Sequence, residues 1–177
     1  AALADLDHPG LVRLLDHGHD PRTGVSWLAR SFIEGETLSS WAQGRPAEEI
    51  GALVLELLPA LQHLHQRGFV HGDLKPDNII VDATGHPVLT DFGLSRRGGE
   101  RGEGGSLFFV APEVLCGDPL ESPADLFSVG VLLHGLLTGA TTTAEAYYAR
   151  FPRQDHFAAT DTRLEQLPGW SRDLLSR

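Results

Sequence analysis

Cysteine is almost absent: Cys116 stands alone among 177 residues, so no disulfide can form within the chain. One thiol suits a reducing compartment, and the cytoplasm is the expected location. Long apolar runs are missing as well. The best candidate, residues 126–139, is interrupted by Ser128 and His134 and falls short of the ~18 residues a membrane span needs. It reads as a buried helix. The opening residues do not read as a signal peptide. No basic stretch offsets the formal charge of −10, which argues against non-specific binding to nucleic acid or to an anionic membrane. What remains is an ordinary globular composition, 41% hydrophobic and 21% charged, at a length that suits one domain with a sizeable core.

Along the chain, residues 1–6 read as a helix end closed by the turn Asp7-His8-Pro9-Gly10. Residues 11–15 and 25–33 read as strands, with a polar turn region over 17–24 between them. Leu53, Leu57, Leu61 and Leu64 recur at helical spacing, which predicts an amphipathic helix over 53–65, kinked at Pro59 and stopped by Gly68. Short strands are expected at 78–81 and 87–89, joined by a turn through Ala83-Thr84-Gly85. Glycine and charge without periodicity make 96–105 a mobile loop. Ser122-Pro123-Ala124-Asp125 looks like a helix start, with Ser122 as the capping residue. Beyond Gly139 the signal fades, and only 172–177 again reads as helical.

Chemistry gathers in three blocks. His71-Gly72-Asp73-Leu74-Lys75-Pro76-Asp77-Asn78 follows a helix and runs into a short strand. Asp91-Phe92-Gly93 comes thirteen positions after Asn78, and Ala111-Pro112-Glu113 eighteen positions after Gly93. In this order and spacing they resemble the catalytic loop, the metal-binding triplet and the end of the activation segment of protein kinases. The Leu-Lys-Pro-Asp-Asn wording resembles the serine/threonine class in particular. Heavy use of Ala, Gly, Leu and Arg with little Lys adds a bacterial flavour.

The resemblance implies an α+β kinase-like fold, mostly the helical large lobe with the last strands of the small one. Residues 1–30 would be the small-lobe remnant, 31–37 the hinge, and 38–177 the large lobe, incomplete at its end. It implies ATP and Mg²⁺ as cofactors, a protein carrying Ser or Thr as substrate, and flanking domains in a parent chain. Asp73 matches the aspartate that orients the substrate hydroxyl and accepts its proton. Lys75 would place a cation near the transferring phosphate, and Asn78 and Asp91 match the two Mg²⁺ ligands. Leu38 and Ile80 fall where an adenine ring would be sandwiched, and Ser31 and Ile33 where hinge backbone groups would meet its edge. Leu3, Leu14, His71 and Phe92 match a stack that ties the lobes together, anchored from below by Asp125.

Departures from the family pattern are equally specific. The glycine-rich loop, the strand lysine and its glutamate are absent, and the spacing puts that glutamate just before Ala1, as truncation would. Such a fragment is expected neither to fold well alone nor to transfer phosphate. Gly72 stands where most kinases place the arginine that reads a phosphorylated activation loop, and Ser95 is the only hydroxyl between Phe92 and Ser106. Activity is therefore expected not to require loop phosphorylation. Arg30 occupies the usual apolar gatekeeper position, where burial would demand a partner or an exit to solvent and would narrow the pocket. Ser106 stands for the usual threonine before Ala111-Pro112-Glu113.

Two other readings stay open: a pseudokinase scaffold, and a small-molecule phosphotransferase of the aminoglycoside or choline kinase type, where His-Gly-Asp is the usual wording. Several features carry bland readings. His63 and His65 read as surface or packing residues rather than metal ligands, Cys116 as a small buried residue, and Thr141-Thr142-Thr143 as a loop. Arg96 and Arg97 read as solvated loop charge.

Overall fold

The computed structural model describes residues 6–92, 95–99, 109–115 and 117–139. Expectations for Leu3, Gly93, Ser106, Cys116, Thr141–Thr143 and the helix at 172–177 lie outside the described residues.

The chain enters along a short parallel bridge between Leu11 and Leu89. There Val12 N–H donates to Leu89 O at 2.8 Å and Leu89 N–H to Gly10 O at 2.9 Å. A hairpin follows: β1, Leu14–Asp20, pairs antiparallel with β2, Val25–Arg30. The turn region expected over 17–24 is thus half strand. Both faces of this ribbon are largely solvated, so its polar residues alternate with no apolar partner and give no period-two signal. Leu15, Val25, Trp27 and Leu28 are all exposed. Gly18 lies opposite Trp27, and a Cβ there would come within 2.6 Å of the indole ring.

A three-stranded sheet in the order β3-β5-β6 forms the middle of the fold, from Gly35–Thr37, Ile79–Asp82 and Pro87–Leu89. Its last hairpin turns where expected, and the Asp82 carboxylate accepts from Thr84 N–H and His86 N–H. Thr37 leaves β3 as the cap of α1, Leu38–Trp41, its hydroxyl accepting from Ser40 N–H.

The single helix expected over 53–65 is two helices, α2 at Ala47–Leu55 and α3 at Leu58–Gln66. Pro59 is the cause: it offers no N–H and its ring displaces the carbonyl four residues back, so the first helix ends and a second starts with proline in its first turn. The apolar stripe survives the break. Leu53, Leu57, Leu61 and Leu64 are all buried, each contributing about 1.5–3 kcal/mol of transfer free energy. Gly68, at φ 79°, ends α3 as expected.

Beyond α3, β4 (Phe69–Val70) pairs with β7 (Arg96–Arg97), so the start of the expected loop is a strand. A 3₁₀ turn at Pro76–Asn78 leads into β5, and α4 is the short helix Pro112–Leu115. α5 runs Ser122–Thr138 and stops at Gly139 in the left-handed region. Its cap is Glu121, extended and without a side-chain capping bond; Ser122 and Pro123 both lie inside the first turn, which corrects the reading of Ser122 as cap. Among the described residues no helix is long and apolar enough to cross a membrane.

Candidate active site

The segment 71–78 folds back on itself because Pro76 starts a 3₁₀ turn that returns Asn78 beneath Asp73. Asn78 Nδ2 donates to Asp73 O at 2.8 Å and to Asp73 Oδ2 at 3.0 Å. Lys75 Nζ donates to the same Oδ2 at 2.8 Å. Two donors on one oxygen fix the carboxylate's rotamer. Asp73 is 7% exposed and Asn78 5% exposed, so these bonds act with little solvent screening. With Nδ2 committed to Asp73, Oδ1 is the atom of the Asn78 amide suited to a cation.

Asp91 is placed by β6. Thr90 N–H donates to Asn78 O at 2.8 Å, which extends the β5–β6 ladder by one step and sets Asp91 just beyond it. Asp91 is exposed and has φ 61°, the only left-handed non-glycine among the described residues. Aspartate tolerates this region better than most residues, and such conformers concentrate at functional sites. One amide oxygen and one carboxylate are hard donors, a set that fits Mg²⁺, which keeps several waters and takes few protein ligands.

His71 underlies the site. It is fully buried, with Nε2 donating to Thr90 O at 3.1 Å and Nδ1 accepting from Asp73 N–H at 3.3 Å. Those two bonds require the neutral ring with its proton on Nε2. Burial pushes its pKa below the usual 6.5, against the opposing pull of Asp125 and of the Thr90 carbonyl. Phe92 stacks on it, ring centroids 5.4 Å apart at 52°. Leu14 packs half-buried against the same core.

Asp125, 1% exposed on the first turn of α5, accepts three hydrogen bonds. His71 N–H reaches Oδ2 at 2.8 Å, Gly72 N–H reaches Oδ1 at 2.9 Å, and His65 Nε2 lies 2.7 Å from Oδ2. The packing role read for His65 is therefore a specific one, made from the last turn of α3. No sequence signal pointed to it, because its partner is sixty residues away. Thr90 and the bond from Ser39 Oγ to Asp77 Oδ1 at 3.0 Å were likewise unmarked in the sequence.

The nucleotide-side residues are less tightly gathered. Ser31 N–H donates to Arg13 O at 2.9 Å, which leaves its carbonyl as the group able to meet a ligand edge. Ile33 is half-buried against the core, and Ile80 is half-buried on β5 opposite Thr37. Leu38 is 0% exposed within the core cluster, so its side chain offers no open surface to a ligand. Arg30 is exposed at the end of β2, so of a partner or an exit to solvent, the side chain takes the exit. Among the described residues no three His, Cys, Asp or Glu side chains gather as a metal cluster.

Comparison with known proteins identifies the family. Residues 1–171 match the family described as protein kinase domain. Serine/threonine-protein kinase AtPK1/AtPK6 of Arabidopsis thaliana is 36% identical over 144 residues, covering 77% of this chain and 30% of the plant protein. The probable serine/threonine-protein kinase PknB of Lactococcus lactis is 31% identical over 147 residues, covering 78% of this chain and 23% of that protein. Human ribosomal protein S6 kinase alpha-1 is 35% identical over 146 residues, at 78% and 20% coverage. The chain thus spans less than a third of the length of these relatives. An aspartate gripped by a lysine and an asparagine, a second aspartate set beside them by β6, and a family match over nearly the whole length lead to one assignment: the chain belongs to the protein kinase domain family.

Proposed function

We propose that this chain supplies the catalytic part of an ATP-dependent protein kinase that phosphorylates serine and threonine hydroxyls. The observation that carries the reading is the double grip of Lys75 and Asn78 on Asp73 Oδ2. Asp73 orients the acceptor hydroxyl and takes its proton. Lys75, held 2.8 Å from Asp73, sets a positive charge beside the transferred group. Asn78 Oδ1 and the Asp91 carboxylate would hold Mg²⁺, which when bound neutralises charge on the phosphates. Ile80 forms the floor for adenine with Leu38 behind it, and the backbone of Ser31 and Ile33 meets the ring's edge. On this reading residues 1–30 belong to the small lobe, 31–37 to the hinge and 38–177 to the large lobe. The parent protein carries flanking domains and works in the cytoplasm.

The test is transfer of labelled γ-phosphate by the full-length protein onto a serine/threonine peptide mixture, beside small alcohols and aminoglycosides. Peptide labelling that collapses by about 10²-fold or more in Asp73→Asn is the expected result. Labelling of small alcohols alone, or peptide labelling indifferent to Asp73, would sink the proposal.

A further inference from the structure

His71 is held from both sides of Asp91. Its ring donates to the carbonyl of Thr90, the residue before Asp91, at 3.1 Å. Its own carbonyl accepts from the hydroxyl of Ser95, four residues after Asp91, at 3.2 Å. Ser95 N–H in turn bonds Phe92 O at 3.1 Å, and Ser95 is half-buried. From there the chain continues into β7 on β4, then into bonds from Gly98 N–H to Gly68 O and from Gly99 N–H to Leu120 O, each 3.0 Å.

We propose that Ser95 is a positioning residue for Asp91: its hydroxyl clasps the start of the activation segment to the His71 carbonyl and so holds Asp91 in register with Asp73. The inference rests on the kinase reading above and gives that site its regulation. Asp91 sits in a left-handed conformation, and the bonds of His71 with Thr90 and Ser95 flank it on either side. Gly72 has no side chain with which to grip a phosphorylated loop, and Ser95 is the only hydroxyl between Phe92 and Ser106. An unmodified hydroxyl thus does here what a phosphate–arginine pair does elsewhere. A charge at this position reverses the effect, because a carboxylate or phosphate cannot donate to a carbonyl and is repelled by it.

The experiment compares Ser95→Ala, Ser95→Thr and Ser95→Asp with the full-length wild type by two readouts. The first is the rate of tryptic cleavage after Arg96 or Arg97, followed by mass spectrometry, which needs no catalysis. Loss of one hydrogen bond should speed this cleavage about two- to tenfold in Ser95→Ala, and more in Ser95→Asp, with Ser95→Thr near wild type. The second is the Mg²⁺ concentration that half-saturates peptide phosphorylation. It should rise several-fold in Ser95→Ala with kcat falling and the peptide KM unchanged, and Ser95→Thr should restore it. Wild-type cleavage of Ser95→Ala overturns the clasp. Faster cleavage with unaltered Mg²⁺ dependence overturns its hold on Asp91. A wild type that labels no peptide removes the kinase reading instead, and cleavage then decides the clasp alone.

Discussion

Replacing Asp125 by asparagine tests the part of the structure on which the catalytic loop depends most. The carboxylate accepts from His71 N–H, Gly72 N–H and His65 over distances of 2.7–2.9 Å, and it is 1% exposed. An amide has one acceptor oxygen where the carboxylate has two. If its NH₂ replaces Oδ1, it points a donor at Gly72 N–H; if it replaces Oδ2, it points one at His71 N–H. Either orientation orphans one buried backbone donor and removes the charge from the remaining bonds. An orphaned buried donor costs about 1–3 kcal/mol, and loss of charge assistance adds about 1, so the expected cost is about 2–4 kcal/mol. Against a typical domain stability of about 5–15 kcal/mol, the protein still folds but is clearly weakened. Asp125→Ala should be worse, because both backbone donors and His65 lose their acceptor. The assay is denaturant unfolding of the full-length variants, paired with hydrogen exchange at His71 and Gly72. Since 1.36 kcal/mol is tenfold, those two amides should exchange about 30-fold faster or more in Asp125→Asn. Unfolding within about 0.5 kcal/mol of wild type, with exchange at these amides unchanged, would refute the reasoning.

Three further outcomes follow from single positions. Gly72 has φ 76°, so Gly72→Arg should destabilise by about 1–2 kcal/mol and bring no activation; equal stability by urea titration would contradict this. Gly35→Ala would drive a Cβ into the Val81 carbonyl oxygen and within 2.9 Å of Asp82 Cα, both backbone atoms that cannot step aside. Parting of β3 from β5 should cost about 1–3 kcal/mol, with amide exchange at Val81 and Ile80 showing the local opening. His71 is neutral in the fold with its pKa depressed, so below 6.5 the unfolded chain binds a proton that the native state refuses. Stability should therefore fall as pH drops through 6.5, and His71→Asn should flatten that slope. His63, whose pKa burial also lowers, contributes in the same direction, so the variant retains a small residual slope.

The catalytic cluster was legible in the sequence because it is local: Asp73, Lys75 and Asn78 lie within eight consecutive residues, and a proline-started turn closes them on one another. The leucine stripe was legible too, since burial follows the 3.6 period even across the break between α2 and α3. The break itself is less legible, because Pro59 suits a first turn as well as a kink, and propensity does not choose between them. β1 was lost among polar residues, as a ribbon wet on both faces carries no pattern of burial. Exposure of Arg30 depends on where β2 ends, and the bond between His65 and Asp125 on the approach of α3 to α5; neither is written in any local stretch. Ser95 stands out in the sequence as the loop's lone hydroxyl, but its acceptor, a backbone carbonyl, has no signature there.

The bridge between Leu11 and Leu89 has a mechanical consequence. Residues 10 and 12 grip Leu89 by two backbone bonds, and Leu89, the last residue of β6, stands two residues before Asp91. The β1–β2 hairpin springs from the same rail two residues further on. A load on that hairpin meets this bridge first, with only Arg13 between the two. The bridge is the clamp that seats the hairpin against the sheet from which Asp91 emerges.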